Sequence, residues 1–197
     1  MAGRRVLLIQ GHPDSSKVHL CHALADRYAR AATQAGHAVR RVDVATLDFP
    51  LLRSSEDWEH GSVPPGLARA QDDIYWAEHL LLFFPLWLGD MPALLKGFLE
   101  QVARPGFAFT REAGGSPFGH KALTGRSARV VVTMGMPSVV YRYYFMAHSL
   151  RSLERNILGF VGIAPVDETL IGMVGQLDAD RAERWLERMD ALGAAAD

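Results

Sequence analysis

The chain has one cysteine, Cys21, among 197 residues, which excludes an internal disulfide and fits a reducing compartment. It has no charge excess either. Lys plus Arg number 21 against 22 Asp plus Glu, a net charge of -1, so no global field draws nucleic acid or an anionic membrane to it. No apolar run approaches transmembrane length, and "VLLI" near the N-terminus is too short for a signal-peptide core. A cytoplasmic protein is expected. Neither G-x-x-x-x-G-K-[ST] nor G-x-G-x-x-G occurs, which disfavours a P-loop NTPase and a Rossmann dehydrogenase. Without G-x-S-x-G, an α/β-hydrolase would have no nucleophile elbow. His19 and His22 stand three apart, a spacing that can hold zinc, but no third ligand is evident and no metal is expected.

What is present is an ordinary globular composition, 49% hydrophobic and 22% charged, which excludes a mostly disordered chain. The length suits one domain spanning residues 1–197. "RRVLLIQ" is a continuous apolar run with no polar alternation, the pattern of a strand buried on both faces of a parallel sheet. "HAVRRVDV", "EHLLLFFP", "ARVVVTMG" and "PVDETLIGMV" follow as strands two to five. Between them, residues 18–35 place Cys21, Leu24, Tyr28, Ala31 and Ala32 on one helical face, and Gly36 ends that helix. Residues 67–76 read as a helix, as does the stretch after Pro92 that carries Leu95, Phe98, Leu99 and Val102. Residues 141–158 and 179–192 complete the set, the latter with Trp185, Leu186 and Met189 on its apolar side. Residues 103–127, rich in Gly and Pro, are expected to be a mostly irregular excursion.

Alternating strands and helices predict a three-layer α/β domain, a five-stranded parallel sheet with helices on both faces. In such sheets a ligand sits beyond the carboxyl ends of the strands, near the reversal of strand order. The loops after strands one, three and four therefore matter most. The first, "GHPDSSKVH", has Gly11 for a turn, hydroxyls at Ser15 and Ser16, and Lys17 just before a helix. Unpaired amides and the positive dipole end make that junction an anion site, although Asp14, Ser15 or Ser16 could equally cap the helix. The second, "FPLWLGDMP", ends the most hydrophobic strand in Pro, Leu and Trp, poor acid-base machinery but good walls for a flat aromatic ring. The third, "TMGMPSVVY", would close the opposite side.

Taken together, "GHPD", "FPLWLGDMPALLKGFLEQV", "PGFAF" and "VTMG" followed by Tyr141 resemble the flavodoxin-like NAD(P)H:quinone reductase (DT-diaphorase-like) family and its bacterial modulator-of-drug-activity and potassium-efflux-ancillary relatives. The resemblance implies a flavodoxin-like fold and a homodimer with its flavin pockets at the interface. It also implies an enzyme that carries hydride from NADH or NADPH, by way of a bound FAD or FMN, to a quinone-like acceptor in a ping-pong sequence. By this resemblance Pro85, Leu86, Trp87 and Leu88 line the flavin edge, His12 and Ser16 sit in the phosphate loop, and Thr133, Met134 and Gly135 face the pyrimidine end. Tyr141 and His148 would stabilise negative charge on the reduced ring, at a spacing of seven that a continuous helix puts on one face. The chain departs from the family pattern at Leu88, where many relatives are aromatic. It departs also at Met136 and Pro137, in "SSKVHLCH", and at His148, one position beyond the expected histidine. Two other classes could use this architecture. One is a regulatory subunit binding a membrane transporter, and the other is an FMN electron carrier, which the near-zero net charge disfavours.

Overall fold

A buried parallel sheet organises the molecule, because its central strands have no polar face to offer water. The computed structural model describes residues 3–110 and 120–197. The five strands are β1 (Arg5–Gln10), β2 (Ala38–Asp43), β3 (His79–Pro85), β6 (Ser127–Thr133) and β7 (Val166–Ile171). All pair in parallel, in the order β2-β1-β3-β6-β7. Every residue of β3 is buried. Its side chains alternate between the two faces: Leu80, Leu82 and Phe84 join one core cluster, and Leu81 and Phe83 the other.

Helices cover both faces. On one, α1 (Leu20–Gln34) packs against α7 (Ala179–Ala195), placing Cys21, Leu24, Tyr28 and Ala32 beside Met189. These two helices lie so close that a Cβ on Gly193 would come within 2.4 Å of the Tyr28 carbonyl oxygen. The opposite face carries α3 (Pro65–Trp76) and α4 (Ala93–Val102). It also carries a helical run that starts at α5 (His148–Ser152), passes through a π-helical turn (Leu153–Leu158) and ends at α6 (Gly159–Val161). A short helix, α2 (Ser55–His60), lies in the connection before α3.

One expectation changes. The helix expected over residues 141–158 is interrupted. Val140–Tyr144 forms a separate π-helical turn, and Met146 (φ 54) and Ala147 (φ 46) then take left-handed backbone. Tyr141 and His148 therefore do not share a helical face. A side chain in that region costs roughly 1–2 kcal/mol, so tertiary contacts rather than local preference impose the break. The Ala147 amide bonds the Tyr141 carbonyl at 3.0 Å and the Tyr141 hydroxyl accepts the Leu150 amide at 3.2 Å, which ties the turn to the start of α5. Regular structure in the excursion is slight among the described residues. β4 (Phe109–Thr110) and β5 (His120–Lys121) form a small antiparallel pair. Gly114, Gly115 and Pro117 lie outside the described residues.

Candidate functional site

The strand order reverses between β1 and β3, and the first loop leaves the sheet there. Gly11 donates to the Phe83 carbonyl at 2.7 Å, which holds the loop on the end of β3. A Cβ at Gly11 would approach Leu95 of α4 to 2.6 Å. Buried Gln10 then fastens the loop to the first turn of α1: its Oε1 accepts the His12 amide at 3.0 Å and its Nε2 donates to the Cys21 carbonyl at 3.2 Å. The His12 ring accepts the Asp14 amide on Nδ1 at 3.1 Å. Asp14 accepts the Ser16 amide and hydroxyl on one oxygen, and its other oxygen lies 2.8 Å from His19 Nε2. Those hydrogen bonds hold the Asp14 carboxyl well below the usual carboxylate range. No acceptor among the described residues meets the backbone amides of Lys17, Val18 or Leu20, so the junction keeps free donors for an anion.

Three histidine rings gather above this loop. His12 stacks on His19 with centroids 4.0 Å apart, His22 lies 4.9 Å from His12, and Trp87 meets His12 edge-on at 6.0 Å. Burial, then the neighbouring His19 and His22, push the His12 pKa down to about 4. Among the described residues no group of three or more His, Cys, Asp or Glu is placed to hold a metal ion.

The second loop crosses from β3 to α4. Leu86 donates to the Thr133 carbonyl at 2.7 Å, and Trp87 and Asp90 exchange backbone hydrogen bonds across Leu88 and Gly89, both at positive φ. This tight turn leaves Leu88 fully exposed and Trp87 half-exposed. The third loop is fixed to the end of β7. Met134 donates to Ile171, while Met173 and Val174 donate back to Met136 and Met134. Gly172 permits the approach, since a Cβ there would lie 2.5 Å from the Ser138 nitrogen and 2.8 Å from the Met136 carbonyl oxygen.

These loops enclose a cavity of about 500 Å³ lined by His12, Pro85, Leu86, Trp87, Thr133, Met134 and Gly135. A second chamber of about 370 Å³, sharing His12, is lined by Ser15, Ser16 and Lys17. Leu88 lines neither. Tyr141 is buried, its hydroxyl 2.8 Å from Ser149 Oγ, while His148 is exposed; neither lines the cavity.

Sequence reasoning missed Asp14, His19, Leu20 and Cys21 as cavity residues, and it missed the loop after β7, which contributes Val174 and Gly175. The rule that ligands sit beyond strand ends applies to the fifth strand too, and "GMVG" there was the available signal. Cys21 lies at the cavity yet stays a core thiol, its pKa raised by burial to about 12.

A flavin matches this arrangement. The volume falls within the roughly 300–1,000 Å³ of small-molecule sites. Apolar walls from Pro85 to Trp87 suit a flat ring, and the unpaired amides of the first loop suit a phosphate.

A family model described as flavodoxin-like fold matches residues 4–192. An uncharacterized NAD(P)H oxidoreductase of Haemophilus influenzae is 28% identical over 94% of this chain and 91% of its own length. An FMN-dependent NADH:quinone oxidoreductase of Burkholderia lata is 26% identical, covering 90% of this chain and 94% of its own. The solved NAD(P)H:quinone oxidoreductase from Methanothermobacter marburgensis superposes with a TM-score of 0.81 at 24% identity, covering the whole of both chains.

Proposed function

The chain belongs to the flavodoxin-like-fold family, and from that premise we propose that it is a flavin-dependent NAD(P)H oxidoreductase that reduces quinones or similar electrophiles in a ping-pong sequence. The observation that carries this reading is the convergence of the loops after β1, β3, β6 and β7 on one cavity with apolar walls and free amides at one end. The relatives named above, one of them FMN-dependent, support it. A bound FAD or FMN would supply the chemistry, accepting hydride from NADH or NADPH and passing it to the acceptor.

The chain's own residues bind, orient and shield. The first-loop amides, with Ser15, Ser16 and Lys17 beside them, hold the phosphate end. Pro85, Leu86 and Trp87 form a wall that keeps water from one side of the ring, and Thr133, Met134 and Gly135 present backbone groups to its polar edge. Leu88, at the rim, bounds the approach of the acceptor. Tyr141, outside the cavity, acts as a positioning residue that fixes, through Ser149 and Leu150, the turn that follows the third loop and leads to His148. The reading places the enzyme in the cytoplasm as a homodimer. Val139, Tyr143, Tyr144 and Phe145, exposed directly after the third loop, support a subunit contact. Among the described residues no helix is long and apolar enough to cross a membrane.

The test is direct. Purified protein should be yellow, absorb in the flavin bands, and bleach when NADPH or NADH is added without air. Heat release followed by mass analysis identifies FAD or FMN. Colourless protein that neither flavin can reconstitute would refute the proposal.

A further inference from the structure

His22 lines the second chamber beside Lys17, and it also closes the first loop. It stands at the third residue of α1, and its Nδ1 accepts the amide of His19, the residue that caps this helix, at 3.1 Å. His12 does the same two residues from Asp14. A neutral imidazole can accept at one nitrogen, whereas a protonated one has two donors and no acceptor. Each of these bonds therefore fixes the proton of the neutral ring on Nε2, and each is lost on protonation.

We propose that His22 is a positioning residue for the anion-binding loop: by accepting the His19 amide it holds the stretch that carries the unpaired Lys17, Val18 and Leu20 amides in place only while its ring is neutral, so retention of a phosphorylated flavin weakens as the ring gains a proton. This rests on the flavin reading above. The groups facing the ring are His19 and Asp26 of its own helix and Arg41 and Asp43 of β2, with the His12 ring at 4.9 Å. The two carboxylates favour a cation on His22, and Arg41, which engages both, opposes it. Burial first, then His19 and Arg41, depress the pKa of this ring. The free loop is therefore in its binding shape at neutral pH, and it loses an acceptor, and with it the end of the loop, once the ring gains a proton.

The position offers its own control. Glutamine at the third helical residue reaches back to the cap amide and accepts it without titrating. FMN affinity would be measured by flavin fluorescence at pH 7.5 and 5.0 for the wild-type chain, His22→Gln and His22→Ala, after circular dichroism shows each folded. The ligand's own phosphate titration enters all three alike. The wild-type ratio of dissociation constants (pH 5.0 over pH 7.5) should exceed that of His22→Gln, because a protonated His22 cannot accept the His19 amide whereas glutamine accepts it at both values. His22→Ala should bind weakly at both values with a ratio like that of His22→Gln. Equal ratios in wild type and His22→Gln, or tighter wild-type binding in acid, would overturn the proposal. In the cofactor-free protein, the His19 amide resonance should move with the His22 titration and stay still in His22→Gln. A His19 amide that ignores that titration overturns the inference by itself, whereas absence of flavin binding in every protein at both pH values refutes the flavin reading.

Discussion

Pro85 ends β3 with its side chain on the cavity wall, where a carboxylate would face apolar neighbours instead of water. Burying an unpaired charge costs several kcal/mol, so Pro85→Asp should abolish flavin retention, checked by the absorbance of the purified variant. Tyr141 is a different case, because its hydroxyl serves the half-buried Ser149 and the buried Leu150 amide in the turn. Tyr141→Phe should cost about 1–3 kcal/mol in urea unfolding for the orphaned Leu150 amide. A purely structural role would stop there. The positioning role adds a fall in kcat of about tenfold with flavin affinity unchanged, read by stopped-flow reduction, and unchanged rates would remove Tyr141 from the mechanism. The depressed histidines also set a pH window. Burial holds both His12 and His79 at about 4, against about 6.5 in an unfolded chain. Between those values the unfolded state binds more protons, so stability from these groups is complete above pH 6.5 and declines as pH falls toward 4. Urea midpoints at pH 7 and 5 should show that decline, and a higher midpoint at pH 5 would contradict it.

Among the elements, the third loop depends on a partner that lies beyond its own strand. It rests on Gly172 at the end of β7, where an added methyl would meet backbone of Met136 and Ser138 rather than a movable side chain. Gly172→Ala should therefore destabilise by about 1–3 kcal/mol, the usual cost of overpacking, or about 2–12 °C in melting temperature for a chain of this size, and should weaken flavin binding as Thr133–Gly135 shift. The broken helix makes an opposite forecast. Glycine inside a continuous helix costs about 1 kcal/mol. Ala147 instead sits at φ 46, where glycine is at ease, so Ala147→Gly should leave stability unchanged or raised in thermal melts.

For the molecule as a whole, a cofactor that binds only the folded state raises stability by mass action, about 2.7 kcal/mol at a hundredfold excess over its dissociation constant. The melting temperature of the chain should therefore climb with added FMN or FAD. Failure of both flavins to shift it would count against the cavity as their site.

Much of this was legible in the chain itself. The unbroken apolar runs at β1, β3 and β6 could be satisfied only by two-sided burial, and they implied a parallel sheet with helices on both faces before any coordinates. The same pattern marked the ends of β1, β3 and β6, and with them His12, Pro85, Leu86, Trp87 and Thr133–Gly135 at the cavity. Periodicity is a local property, however, and it stops at contacts between distant segments. The break at Met146 and Ala147 violates local preference because the turn from Tyr141 to Leu150 is closed by its own hydrogen bonds and packed into the core. The place of Val174 and Gly175 follows from backbone bonds between loops some forty residues apart. The depressed pKa values of His12 and His22 depend on burial and on rings brought together by the fold. Sequence decided which strands would be buried, because hydrophobicity is carried by each residue alone. Tertiary structure decided which loop amides stay free and which rings stay uncharged, because those depend on what lies across the cleft.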